Sequence, residues 1–291
     1  MSSIFVFPGQ GSQSVGMGRD LYENNPAARA VFEEVDDALN QKLSDIIFDG
    51  PMNELTLTAN VQPAIMAVSM AMLRAANVEL TPYVAGHSLG EYTALCAAGA
   101  LSVGDTAKLL RARGNAMQAA APVGAGLTAV ILGLDIDVVR DICDKSDCDV
   151  ANDNSPGQVV ISGPKDAVEA AMAAAKDAGA KRALALALSV PVHCRMQAPA
   201  ADVMRAALES VTFKTPSVPL ISNKTAAPMT DVNEIKQALV YQMTHGVRWR
   251  ESVLAMRELG ITETIEVGPG AVLTGLTPRI CSELTAKKLE I

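Results

Sequence analysis

The sequence predicts an α/β protein built on a parallel sheet, with a smaller unit of ferredoxin-like order inserted into it. Three observations carry that expectation. Short apolar runs alternate with helical patterns; two of these runs, at residues 4–7 and 83–85, lead into glycine-rich turns; and residues 127–188 read β-α-β-β-α-β. At 291 residues the chain is long enough for one large domain or a domain carrying an insertion. Hydrophobic residues make up 49% and aromatics only 3%, so the core must be built from Ala, Leu, Val, Ile and Met.

The first strand, 4–7, ends at Pro8 and opens into Gly9-Gln10-Gly11-Ser12-Gln13-Ser14-Val15-Gly16. This is no phosphate loop, because Gly-Lys-Ser/Thr is missing and a dinucleotide pattern would need glycine where Ser14 stands. Helical patterns follow at 27–40 and 63–77, then the strand 83–85, a small-residue helix over 90–98 and a helix running to about 118 that Asp105 would cap.

From residue 126 the texture changes. Strands are expected at 127–132, 149–151, 158–162 and 182–188, helices at 136–145 and 166–178, and a turn at 154–157. The boundaries follow: a large subdomain of 1–124 and 190–291, and a small one of 125–189, with a cleft between. The tail adds helices at 196–210, 233–243 and 249–259, a strand at 264–267 and the turn Gly268-Pro269-Gly270.

Composition excludes several classes. With 24 basic against 32 acidic residues the net charge is -8, so no basic field attracts nucleic acid. The first six residues lack a basic segment and a long apolar segment, which argues against export and for the cytoplasm. The uncharged window 55–73 carries Thr56, Thr58, Asn60, Gln62 and Pro63, which suit a loop entering a buried helix rather than a membrane span. The five cysteines form neither CxxC nor a Cys/His ligand spacing, so neither a metal site nor a disulfide framework is expected.

Gly86-His87-Ser88-Leu89-Gly90 fits G-x-S-x-G, in which a strained strand-to-helix turn presents a serine hydroxyl and only glycine tolerates the crowding on either side. The bland alternative is a glycine-rich turn with a capping serine. At a helix N-terminus the Leu89 N–H is the natural first donor to an oxyanion, and the Gly9-Gln10-Gly11 loop is placed to give a second. A base must be one of three histidines. His87 adjoins Ser88 and reads as a structural or pocket residue, and His245 as a helix-end residue. His193, behind the Pro191 turn where the inserted unit ends, is favoured. No Asp or Glu stands out to orient it.

Arg113 is the only charge on the apolar face of its helix, which it shares with Leu109, Leu110, Ala116 and Met117. A buried guanidinium needs a partner, and its planar fork matches a carboxylate. That partner is either an internal acid, with a snorkelling stem as the third option, or the carboxylate of a substrate.

Phe7-Pro8-Gly9-Gln10-Gly11-Ser12-Gln13, Gln62-Pro63-Ala64, Gly86-His87-Ser88-Leu89-Gly90-Glu91, Arg113-Gly114, Asn154-Ser155-Pro156-Gly157-Gln158, Ser189-Val190-Pro191-Val192-His193-Cys194 and Glu266-Val267-Gly268-Pro269-Gly270 occur in this order. Together they resemble the malonyl-CoA:acyl carrier protein transacylases of bacterial type II fatty acid synthesis, over nearly the whole chain. The resemblance implies a hydrolase-like large subdomain with a parallel sheet plus a ferredoxin-like small one. It implies Ser88 as nucleophile, His193 as base oriented by the backbone carbonyl of Gln242, and the N–H groups of Gln10 and Leu89 as oxyanion hole. Arg113 would pair with the malonyl carboxylate, and Gln62, Met117, His87 and Asn154 would line the substrate pocket.

The activity so implied is a ping-pong malonyl transfer from malonyl-CoA, through a serine ester, to the phosphopantetheine thiol of holo acyl carrier protein. No cofactor or metal is expected, and the chain is expected to act as a monomer. Lys181, Arg182, Arg279, Lys287 and Lys288 are the candidate basic contacts for an acidic carrier. The competing readings are a thioesterase or esterase that discharges the ester to water, a malonyl transferase of a polyketide pathway, and a noncatalytic carrier-binding scaffold.

Overall fold

A computed structural model describes residues 2–122 and 124–291; Met1, part of the leader reading, and Val123, near the expected boundary, lie outside the described residues. Its strands are β1 (Ser3–Phe7), β2 (Val84–Gly86), β3 (Gly126–Leu132), β4 (Asp149–Ser155), β5 (Gln158–Pro164), β6 (Arg182–Ala185), β7 (Leu220–Ile221), β8 (Pro228–Met229), β9 (Glu263–Glu266) and β10 (Thr285–Lys288). They form two sheets. One has the order β10-β9-β1-β2-β7-β8, parallel except at the β8 edge; the other is antiparallel, β4-β5-β3-β6, which is the ferredoxin-like order.

β1 sits between β9 and β2 and is buried from Ile4 to Phe7, as a central parallel strand covered on both faces must be. Phe7 pairs with Gly86, so the loops leaving these two strands emerge side by side at the carboxyl edge of the sheet, where ligands of open α/β sheets bind. Their approach is close. A methyl group on Gly9 would lie 2.8 Å from the His87 carbonyl oxygen, and one on Gly90 would lie 2.2 Å from that of Phe7.

One face of this sheet is covered by the helices Pro26–Leu39, Thr58–Ala76 and Val103–Ala120. A Cβ on Gly114 would stand 2.4 Å from Ala59 Cα, so the last two of these helices approach to backbone contact there. That contact brings Arg113 beside Gln62. The other face packs Ile4, Val6 and Ile221 against Trp249, Val253 and Leu273.

In the second sheet, Ile131 and Ile161 bury against Val139 and Val168 of the helices Ile136–Ser146 and Lys165–Asp177. β4 fastens this unit to the first: Asp153 N–H donates to the Val247 carbonyl (3.0 Å), Val247 N–H to that of Ala151 (2.9 Å), and Arg250 pairs with Asp153 (2.8 Å).

Several elements differ from the sequence reading. The helix expected from 63 begins at Thr58 and carries Pro63 inside it; Ala59 N–H donates to Gln118 Oε1 (3.0 Å) and the Thr58 hydroxyl meets that of Ser189 (2.8 Å), so tertiary bonds hold the opening turn. Asp105 is not the cap of its helix. Ser102 is, its Oγ accepting from Asp105 N–H at 3.0 Å. β4 runs on to Ser155 through two register shifts, which absorbs Asn154 into the strand. β6 stops at Ala185, leaving residues 186–188 as a loop beside the cleft. Three short helices before Thr58, the helix Val272–Ile280, and β7, β8 and β10 carry too few residues for a periodic pattern to show.

Candidate active site

Ser88 follows β2 and precedes the helix Gly90–Ala97, with φ of 56°, left-handed backbone that a β-carbon-bearing residue adopts only when its surroundings hold it there. The surroundings do so. A Cβ on Gly86 would overlap Gly90 at 1.9 Å, and Asn223, just past β7, braces both sides of the turn: its Oδ1 accepts from Ser88 N–H (2.8 Å) and its Nδ2 donates to the Gly86 carbonyl (2.7 Å).

His193 is 3% exposed and also left-handed, with φ of 52°. Its Nδ1 lies 2.6 Å from the Gln242 carbonyl oxygen. A carbonyl only accepts, so Nδ1 carries the proton, and the bare Nε2 faces Ser88 Oγ at 2.8 Å. Burial, with the Arg113 charge nearby, pushes the imidazole down to about 3. The ring is therefore neutral near pH 7, the form that takes a proton.

Arg113 is 2% exposed and makes no ion pair with any described residue. Its Nη1 donates to Gln62 Oε1 (2.6 Å); its Nη2 donates to Gln242 Oε1 (2.8 Å) and Ser88 Oγ (3.2 Å). The Nε–H has no acceptor among the described residues. A guanidinium buried among neutral acceptors, with a donor left over, has the chemistry to bind an anion.

The cleft over Ser88 measures about 280 Å³ and is lined by Gln10, Leu89, Arg113, Met117, His193 and the 186–188 loop, among others. Gln10 and Leu89 N–H have no acceptor among the described residues, so both are free to donate to an oxyanion. His87 lines the same cleft, its Nε2 2.8 Å from Asn154 Oδ1, and Gln62 Nε2 points at Met117 Sδ (3.5 Å). His245 lies elsewhere, exposed and stacked on Tyr241 at 3.6 Å. Of the basic residues named as carrier contacts, Lys181 just precedes β6, Arg182 opens it, Arg279 lies on the Val272–Ile280 helix and Lys287 and Lys288 on β10, where Lys287 is paired with Glu263 at 2.9 Å.

Two residues of the site were not read from the sequence. Asn223 follows a two-residue strand with no motif around it. Glu91 stands inside the serine motif but carries no mark of its role until its partners are seen.

The chain matches the family described as Acyl transferase domain over residues 4–286. It is 46% identical over 288 residues to the malonyl CoA-acyl carrier protein transacylase of Bacillus subtilis (strain 168), covering 96% of this chain and 91% of that one. Among solved structures, the acyl-carrier-protein-S-malonyltransferase of Bartonella henselae superposes with a TM-score of 0.98 at 51% identity, covering 100% of this chain and 96% of that one. A malonyl-transacylase solved in complex with its type II PKS acyl-carrier protein reaches 0.96 at 41% identity, covering 100% and 97%.

Proposed function

The chain belongs to the acyl transferase domain family, among its malonyl-CoA:acyl carrier protein transacylases, and we propose that it works through a serine ester on Ser88. It moves malonyl groups from malonyl-CoA to acyl carrier protein, supplying malonyl units for fatty acid synthesis.

In this reading Ser88 Oγ attacks the thioester carbonyl while its proton passes to His193 Nε2 (2.8 Å away), and the Gln242 carbonyl stabilises the imidazolium that forms. The oxyanion falls between the N–H groups of Gln10 and Leu89. The C–S bond then breaks, and CoA leaves as a thiol with the proton from Nε2. In the second half the carrier's phosphopantetheine thiol gives its proton to Nε2, attacks the ester, and returns Ser88 to its hydroxyl form. Arg113 binds the malonyl carboxylate, with Gln62, Met117, His87 and Asn154 shaping the pocket around it.

The observation that carries the reading is the unpaired guanidinium 3.2 Å from the nucleophile. A simple esterase has no use for it, whereas a dicarboxylic acyl group requires it. We also propose that residues 125–189 act as a small subdomain closing one side of the cleft, and that the protein works as a cytoplasmic monomer without binding nucleic acid. The net charge of -8 supports the last point, and no helix among the described residues is long and apolar enough to cross a membrane.

Initial rates measured against both malonyl-CoA and holo carrier protein test the ester. Parallel double-reciprocal lines are expected of ping-pong transfer; intersecting lines would show a ternary complex and remove the serine ester.

A further inference from the structure

Glu91 takes no part in the transfer above, yet it is 1% exposed and lies beneath the reacting groups. Its Oε1 accepts from Asn223 N–H and its Oε2 from Gln242 Nε2, both at 2.6 Å. Each contact leads onward in one step. Asn223 holds the Ser88 main chain, and Gln242 Oε1 accepts from Arg113 Nη2 at 2.8 Å.

A glutamine amide has one donating end and one accepting end, and only its surroundings decide which way it points. Above its titration near 7 Glu91 is ionised and only accepts, and a guanidinium only donates. Gln242 stands between them, so its Nε2 must face Glu91 and its Oε1 must face Arg113. Turned over, it would set donor against donor and acceptor against acceptor. An apolar residue at 91 would fill the space without the cost of burying a carboxylate, but it would leave the donating end of the amide only its longer bonds, to the Ser88 carbonyl (3.1 Å) and Asn223 Oδ1 (3.3 Å), to hold it in place.

We propose that Glu91 is a positioning residue for malonyl selectivity: through the Gln242 amide it fixes the Arg113 fork beside Ser88, and through Asn223 it fixes the nucleophile's backbone. The inference rests on the roles of Ser88 and Arg113 given above. Burial pushes the Glu91 carboxyl up to about 7, and the hydrogen bonds from Asn223 and Gln242, with the Arg113 charge, act against that rise, which is the electrostatic side of the same arrangement.

The test is a double-mutant cycle of Glu91→Gln and Gln242→Met in the full chain, read as kcat/KM for malonyl-CoA and acetyl-CoA separately. Gln242→Met keeps the backbone carbonyl that faces His193 and removes only the amide. Each single variant is expected to cut the malonyl-over-acetyl preference by about tenfold, the effect of one charge-assisted bond, and the double variant to be no worse than either. Equal losses for both donors that add in the double variant would mark a structural role only and overturn the proposal. So would an undiminished malonyl preference in soluble Gln242→Met, which gives the answer even if Glu91→Gln does not fold. A wild-type protein with no malonyl preference would instead sink the Arg113 reading, and this proposal with it.

Discussion

Arg113 Nη2 stands 3.2 Å from Ser88 Oγ, so the one deeply buried cation of the site touches the atom proposed to carry the acyl group. Among the described residues its donors meet only neutral oxygens, and Nε meets none. An acyl chain on Ser88 that ends in a carboxylate would supply the missing charge.

Arg113→Ala is therefore expected to weaken malonyl transfer selectively, by about 1.5–3 kcal/mol for one lost charge-assisted bond. Rates with malonyl-CoA and acetyl-CoA check this. An unchanged ratio of the two would take Arg113 out of the carboxylate role.

Gly90→Ala places a methyl group 2.2 Å from the Phe7 carbonyl oxygen, backbone against backbone, where no rotamer relieves the clash. A loss of roughly 3 kcal/mol or more of stability is expected, measured by urea unfolding. Gly11→Ala is the control: its Cβ meets nothing within 4 Å, so only the strain of its positive φ of 106° is paid, roughly 1 kcal/mol. Equal effects of the two would show that β1 and the elbow are not in contact.

Acid stability separates Glu91 from His193. His193, held near 3 against an ordinary 6.5, binds fewer protons folded than unfolded, so its contribution is present above 6.5 and is lost as pH falls. Glu91, raised to about 7 from 4.5, does the reverse: its contribution is present below 4.5 and is lost as pH rises through 7. The two oppose each other between 4.5 and 6.5. Glu91→Gln removes one side, so its stability should fall more steeply than that of the wild type on acidification across this window, by roughly 2 kcal/mol in total. Parallel curves from urea unfolding at several pH values would contradict the buried, shifted carboxyl.

The legible part of the fold was whatever rests on local pattern. The elbow at Ser88, the βαββαβ order and the helix bearing Arg113 all follow from glycine spacing and periodicity, and the structure has these elements within a few residues of their expected ends. Where tertiary bonds override local preference the sequence was silent. The Thr58 turn is held by Gln118 and Ser189, the β4 irregularities by pairing with β5, and the two-residue strands β7 and β8 by a sheet that already exists. For the same reason, composition marks Glu91 and Asn223 as ordinary polar residues, and only their contacts with Gln242 and Ser88 set them apart. The meeting of Ser88 and His193, 105 positions apart, was expected from chemistry and resemblance rather than from any local signal.

The account stands most directly on whether Ser88 carries the malonyl group. Intact mass of wild-type and Ser88→Ala protein after exposure to malonyl-CoA, then to holo acyl carrier protein, decides it. A single malonyl adduct on the wild type alone, passed to the carrier faster than it is lost to water, is the expected result; an adduct on both proteins, or none on either, would contradict it.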